Sequence, residues 1–408
     1  MKDTEFFARV LELREPWKVK EVKMDLAARR VEVVLECQAT RWGDPTTGGR
    51  AHVHGYEERQ WRHLDTMQLE TVLKARVPRV KYADGRTELV AVPWAAPHGR
   101  FTLLFEAWAI QVLQACHSLS AGCALLRLHW ETAQQIMKRA VERGLARRDW
   151  SEVRRLGIDE KSFGRGQDYI SVLSEVDAGR VLEVMPGRDQ KSAEALLETV
   201  PEERREQIEA VAMDMSGSFA AAVAAVLPEA DIVYDRFHVA ALLNEAVDEV
   251  RREEHKRLLA QKDESLKKTR PLWLYNPIHL DAERLATLQE LAALNYRTSR
   301  AWIQKENFAG FWQQESRRAG EGFLHQWYNS AIRCQLEPIK RAARTIKKHA
   351  EGLLNYFDHH ISNAVAEGLN SRIQAIKSAA RGFRNFVHYR IRILFFCGKL
   401  QMAPEGIA

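Results

Sequence analysis

Cysteine is scarce in this sequence: five in 408 residues, at 37, 116, 123, 334 and 397, with no Cys-x-x-Cys pair among them. That usage excludes a disulfide framework and a cysteine-rich zinc site, and it suits a reducing compartment. Long apolar runs are missing too. No stretch approaches the roughly 18 residues that a membrane helix needs, and the first residues, Met1-Lys-Asp-Thr-Glu5, lack the basic start and apolar centre of a secretory signal. The expectation is a cytoplasmic chain with no membrane partner. Acid is absent locally. From Gly368 to Leu400 there is no Asp or Glu, against Arg372, Lys377, Arg381, Arg384, Arg390, Arg392 and Lys399. A segment so one-sided expects a polyanion. Over the whole chain the excess is small, 61 Lys and Arg to 55 Asp and Glu, a net charge of +6; it bears on partners rather than on fold.

What is present describes a folded protein of two to four domains, 46% hydrophobic and 28% charged. The chain is organised around Leu156-Gly-Ile-Asp-Glu-Lys-Ser162, a short apolar approach that delivers Asp159 at its end. Two runs rich in Val, Ile and Leu follow, Tyr169 to Val176 and Arg180 to Met185, split by the turn signal Asp177-Ala-Gly179. Then come a helical segment from Gln190 to Val200, a strand Ala210-Val-Ala-Met213 ending on Asp214, a helix from Ser216 to Leu227, and a strand Asp231-Ile-Val-Tyr234 ending on Asp235. Three strands in meander, then helix, strand, helix, strand, is a mixed α/β order that puts Asp159 and Asp214 at strand ends, where loops display side chains on a rigid scaffold. It is the order of ribonuclease-H-like nucleases.

Upstream, residues 1–100 read as a small β-containing module. Val22 to Leu26 and Val31 to Glu36 alternate as strands, and Thr40 to Gly55 reads as a loop. Cys37, His52 and His54 make only one tight pair where zinc usually takes two. Residues 101–150 are helical. Leu119 to Leu126, a turn at Arg127-Leu-His129, and Trp130 to Val141 have the spacing of a helix-turn-helix, and equally of an ordinary helical hairpin. In the first case Ala121, Leu125, Leu128, Ala133, Ile136 and Met137 make the contacts. Glu131, Thr132, Gln134, Gln135, Lys138 and Arg139 then face outward, and the last five meet the DNA major groove. Downstream, Glu245 to Lys268 alternates in charge as a solvated helix does, and Pro271 to Pro277 breaks it. Residues to about 350 are helical, with Trp302, Trp312 and Trp327 as core and a basic face from Pro338 to His349. In the last informative helix Ile361, Val365, Leu369, Ile373, Ile376 and Ala380 form the buried stripe. Asn363, Glu367, Asn370, Ser371 and Gln374 lie opposite.

Asp159, Asp214 and Glu367 are the candidate catalytic and metal-binding carboxylates. Phosphodiester chemistry needs an activated oxygen nucleophile and a stabilised leaving oxygen, which two divalent ions about 3.5–4 Å apart supply. Mg²⁺ keeps several waters, so a few carboxylates suffice, with substrate phosphate completing the sphere. Asp159 would bridge two such ions, and Mn²⁺ would substitute. Without metal the like charges should repel.

Taken together, Trp61-Arg-His-Leu-Asp65, Arg76-Val-Pro-Arg-Val80, Val92-Pro-Trp-Ala95, Arg100-Phe-Thr102, Gly157-Ile-Asp-Glu160, Met213-Asp-Met-Ser216, Tyr234-Asp-Arg-Phe-His-Val239 and Ala366-Glu-Gly-Leu-Asn370 resemble the DDE transposases of the ISL-three insertion-sequence family, over nearly the whole chain. The resemblance implies a zinc-ribbon-like module (1–100), a helix-turn-helix (101–150), and a ribonuclease-H-like core (151–244 and 351–408) interrupted by a helical insertion (245–350). It implies Mg²⁺-dependent cutting and joining of double-stranded DNA, element inverted repeats and target alike, by a homodimer or larger assembly in the nucleoid. The acidic triad it implies is the one named above. Asp235 and His238 lie beside it, steering the phosphate or supporting the fold. Basic side chains Arg372, Lys377, Arg381 and Arg384 face DNA. The sequence departs from the family at the module's cysteines: only Cys37 remains, and Tyr82 stands near another's place, so no zinc is expected. The alternative is a transposase-derived DNA-binding regulator that no longer cuts.

Overall fold

The computed structural model describes residues 2–44, 47–116, 118–164, 168–294, 296–361 and 364–406; Asn363 lies outside them. The chain divides into two compact units, residues 1–148 with 400–408, and residues 149–399.

The first unit is built on a sheet. Its strands are β1 (Trp17–Asp25), β2 (Arg30–Cys37), β3 (Trp42–Gly43), β4 (Arg50–Thr66), β5 (Leu69–Lys81) and β6 (Thr87–Leu89), in the order β1-β2-β5-β4-β3 with β6 on β5. Alternation decides the faces: Val31, Val33 and Leu35 of β2 are buried and their neighbours are not. Trp94 stands edge-on to both Trp17 and Trp61, at 4.8 and 5.4 Å, over Leu73. β4 and β5 meet at Met67 and Gln68, both at positive φ, the conformation of a two-residue hairpin turn. The loop expected from Thr40 to Gly55 is therefore shorter, because Arg50 and Ala51 pair with β3 and His52, Val53 and Gly55 pair with β5. Two turns pack together at its end. Trp42, Ala51, Val80 and Tyr82 share an apolar cluster. Arg86 lies 5.0 Å over the Tyr82 ring and reaches Asp44 at 3.4 Å and Asp84 at 2.5 Å.

Helix α1 (Asp3–Val10) packs on β1 through Phe7. Three helices follow the sheet: α2 (Leu103–Ala115), α3 (Leu119–Leu126) and α4 (Trp130–Ala146). Thr102 and Ser118 cap α2 and α3 through their hydroxyls, and Arg127 ends α3 in the left-handed conformation. The contact face of α3 is Leu119, Gly122, Cys123 and Leu126, one residue out of register from the expected Ala121 and Leu125, which are exposed. Gly122 sets that register, because a Cβ there would sit 2.8 Å from the Leu113 side chain. The segment 400–406 returns to α4: Leu400 covers Gly144, Met402 is buried, and the guanidinium groups of Arg143 and Arg147 donate to the carbonyls of Met402 and Ala403.

The second unit holds a five-stranded sheet of order β11-β10-β7-β8-β9. β7 (Arg155–Ser162), β8 (Tyr169–Glu175) and β9 (Arg180–Pro186) form an antiparallel meander; β10 (Ala210–Met213) and β11 (Asp231–Tyr234) add parallel to β7. Between them run α5 (Gln190–Leu197), α6 (Glu202–Arg205) and α7 (Gly217–Val226). β8 is buried from Ile170 to Glu175, as a strand covered on both faces must be.

The helices that follow are α8 (Arg236–Ala260), α9 (Arg270–Leu274), α10 (Ala282–Ala293), α11 (Arg297–Ala309), α12 (Arg317–Arg333), α13 (Glu337–Lys348), α14 (Ala350–Leu354), α15 (Tyr356–His359), α16 (Ala364–Ala379) and α17 (Phe386–Cys397). Trp327 is fully in the core and Trp302 and Trp312 pack on it. Helix α8 stops at Ala260, short of Pro271, and its charged stretch is not wholly solvated. Glu254 is buried because it caps a neighbour, accepting the N–H groups of Arg297 and Thr298 at 2.9 and 2.7 Å and the Thr298 hydroxyl at 2.7 Å. The basic face of α13 is balanced: Arg341 pairs with Glu249, Arg344 with Glu337, and Lys347 lies over the Tyr328 ring.

Candidate active site

Asp159 lies within β7 rather than at its end, since the ladder with β8 continues to the Ser162–Tyr169 pair. The parallel neighbour stops earlier, its last pair being Ala212 with Gly157, so Asp159 stands just beyond the covered part of the strand. Gly157 permits the close approach of β8: a Cβ there would lie 2.8 Å from Ser174 Oγ. Asp214 follows β10 directly, and its Oδ1 accepts the Ser216 N–H at 3.1 Å, turning the chain into α7. Asp235 follows β11. Its own N–H donates to the Met213 carbonyl, and its Oδ1 caps α8 by accepting the Phe237 N–H at 2.6 Å. His238, one turn on, has Nε2 3.7 Å from Asp235 Oδ2.

The fourth contributor is α16. Leu369 and Ile373 are buried as the stripe requires, Val365, Ile376 and Ala380 are half-buried, and Ile361 is buried ahead of the helix; Glu367 is exposed. Asn370, one turn after Glu367, donates from Nδ2 to Asp159 Oδ2 at 2.7 Å. Asp159, Asp214, Asp235, His238, Glu367 and Asn370 therefore line one cleft of about 630 Å³. Below it Tyr234 has its hydroxyl pKa raised, first by burial and then by the charge of Asp214. The repulsion expected of an ion-free carboxylate cluster is relieved at Asp159, whose Oδ2 also faces Lys161 Nζ at 3.0 Å. Lys161 and Asn370 are the two residues sequence reasoning passed over. Each had a signal: Lys161 shares the strand face of Asp159 by period two, and Asn370 shares the helix face of Glu367 by the i, i+3 rule.

Does the cleft suit a divalent ion? The donor set is carboxylate oxygen throughout, the chemistry of a hard cation. Among the described residues no three His, Cys, Asp or Glu side chains already stand close enough to grip one.

The expected DNA-facing residues divide. Gln135 and Lys138 are exposed and Thr132 is half-buried. Gln134 is buried instead, because α4 packs on both α2 and α3 and its inner face is wide. Arg139 is half committed to the fold: with Arg143 it holds the buried Glu106 of α2, each at 2.9 Å. In the basic segment Arg372, Arg381 and Arg384 are exposed. Lys377 donates to the Ser162 carbonyl at 2.5 Å, Arg390 pairs with Glu183, and Arg392 is buried against Phe383. Charge meant for a polyanion is thus partly spent inside the unit.

Comparison with known proteins gives the family. Residues 156–393 match the profile of the ISL3 DDE transposases, described as transposase, and residues 90–141 match the helix-turn-helix domain of transposase family ISL3. Residues 41–84 match the zinc-finger of the transposases of IS204, IS1001, IS1096 and IS1165. The transposase for insertion sequence element IS1557 of Mycobacterium tuberculosis, in two strains, is 30% identical over 354 residues, 80% of this chain and 79% of the relative. The transposase for insertion sequence element IS1001 of Bordetella parapertussis is 27% identical over 347 residues, 84% and 85%. The chain belongs to the ISL3 family of insertion-sequence transposases and carries that family's helix-turn-helix DNA-binding domain.

The zinc-finger match includes His52, His54 and His63. Residues 41–84 contain no cysteine. Of the histidines there, His63 is buried against Thr102, with Nδ1 2.9 Å from the hydroxyl oxygen. No helix among the described residues is long and apolar enough to cross a membrane.

Proposed function

We propose that Asp159, Asp214 and Glu367 form the acidic triad of a DDE transposase with a ribonuclease-H-like core, and that they hold two Mg²⁺ ions, for which Mn²⁺ substitutes. The observation that carries this is the shared cleft: three carboxylates distant in sequence open into it, two from consecutive parallel strands and one from α16. The strand order, with the first strand central and the meander on one side, supports the ribonuclease-H-like reading. When bound, the ions supply an activated water and a stabilised leaving oxygen. The chain's own part is to hold oxygen ligands in place: Asp159 by its neighbours' hydrogen bonds, Asp214 by the turn into α7, Glu367 by the buried stripe of α16. Asp235 caps α8 and keeps His238 at the rim of the cleft, where an imidazole can meet a phosphate oxygen. Hydrolysis of one strand at the element end exposes a 3′-OH, which then attacks a target phosphodiester.

Thr132, Gln135 and Lys138 read the terminal inverted repeats from the exposed side of α4. Arg372, Arg381 and Arg384 contact the phosphate backbone near the cleft. The N-terminal module (1–100) folds without zinc, the Tyr82–Arg86–Asp44 cluster tying its two turns together. The catalytic core is read as residues 151–244 and 351–399 around the insertion 245–350, residues 400–408 of the expected core segment falling instead in the first unit, and it works as a homodimer or larger assembly on DNA. Labelled element ends incubated with Mg²⁺ test the mechanism: Asp159→Ala retains end binding and loses cleavage. Undiminished cleavage by that variant would refute the assignment.

A further inference from the structure

Asp159 carries three donors on its two oxygens. Oδ1 accepts the Glu160 N–H at 2.8 Å; Oδ2 accepts Asn370 Nδ2 at 2.7 Å and faces Lys161 Nζ at 3.0 Å. Two of these donors are neutral and one is a cation. Lys161 is placed by the pleat: it follows Asp159 by two residues on β7, and its pairing with Ile170 of β8 keeps it on the same face. Glu160 points to the other face and meets Arg188 at 3.7 Å instead. The Lys161 side chain is 29% exposed and lines the same cleft as Asp214, Asp235 and Glu367.

We infer that the Lys161 ammonium is a stand-in for the divalent ion: it neutralises Asp159 in the metal-free protein and yields Oδ2 when metal arrives. The inference rests on reading Asp159 as a metal ligand. A divalent ion placed beside Oδ2 repels an ammonium already in contact with that atom, so the two compete. Asn370 is uncharged, feels no such repulsion, and continues to orient the carboxylate while the ion is exchanged. The residue is thus part of the metal site without being a ligand, and its effect on metal affinity is opposite in sign to that of a ligand.

The test is a titration of the full chain with Mn²⁺ alone, without DNA, with the free ion read by electron paramagnetic resonance. Wild type, Lys161→Met, Lys161→Arg and Asp159→Asn are compared, each first shown folded by circular dichroism. Removing a competing contact worth about 1 kcal/mol tightens binding roughly fivefold, which is the expectation for Lys161→Met. Lys161→Arg keeps the cation and stays at the wild-type value, and Asp159→Asn binds more weakly. If Asp159→Asn weakens binding but Lys161→Met does not tighten it, the stand-in role is wrong and the triad survives. If wild type binds no Mn²⁺, or Asp159→Asn binds as well as wild type, the triad falls and takes the stand-in with it.

Discussion

Acid should loosen the first unit at a single histidine. His63 of β4 is 5% exposed, and its Nδ1 stands 2.9 Å from the Thr102 hydroxyl oxygen, which caps α2 by accepting the Phe105 N–H at 3.2 Å. A neutral imidazole can accept the Thr102 proton; an imidazolium cannot. Burial, and after it the neighbouring Arg62 charge, lower the His63 pKa from 6.5 to about 4. The unfolded chain takes up its proton near pH 6.5, and the folded one does not until about pH 4. Folding is therefore favoured fully above pH 6.5, and the advantage disappears as pH falls toward 4. A displacement of about 2.5 pH units at about 1.4 kcal/mol each makes the loss about 3 kcal/mol. Hydrogen exchange of residues 60–66 and 102–108, read by mass spectrometry between pH 4 and 8 and corrected for intrinsic rates, isolates this unit. His63→Gln, which keeps an acceptor but does not titrate, should flatten the profile. Equal pH dependence in wild type and variant would refute the reasoning.

Two further outcomes are expected. Glu254→Ala orphans two main-chain N–H groups and the Thr298 hydroxyl, each worth about 1 kcal/mol; urea unfolding of the second unit should show a loss of about 3 kcal/mol, and a loss under about 1 kcal/mol would contradict the capping role. Tyr82→Ala removes the ring under Arg86 and should lower the first unit's stability by about 2–4 kcal/mol. A strong chelator should leave the melting of that unit unmoved, and one zinc per chain by elemental analysis would overturn the zinc-free reading.

Much of this architecture is legible in local pattern. The strands from Arg155 to Tyr234 are short, apolar and bounded by turn residues, and helix α16 declares its inner stripe at Leu369 and Ile373. What local pattern missed depends on neighbours. Glu254 looks like any surface glutamate until an uncapped helix 43 residues later is placed on it. Gln134 looks outward on a helix wheel with one partner and is inward with two. The register of α3 turned on a glycine whose missing side chain only Leu113 requires. At the cleft, the carboxylates announced themselves by charge, but Asn370 is a common residue type whose meaning lies in an approach to Asp159 across 211 positions.

The return of residues 400–406 to α4 has a consequence for how the protein is made. Arg143 and Arg147 find carbonyl acceptors, and Gly144 its cover, in a segment 256 or more residues further along the chain. Until that segment is in place, α4 lacks this brace.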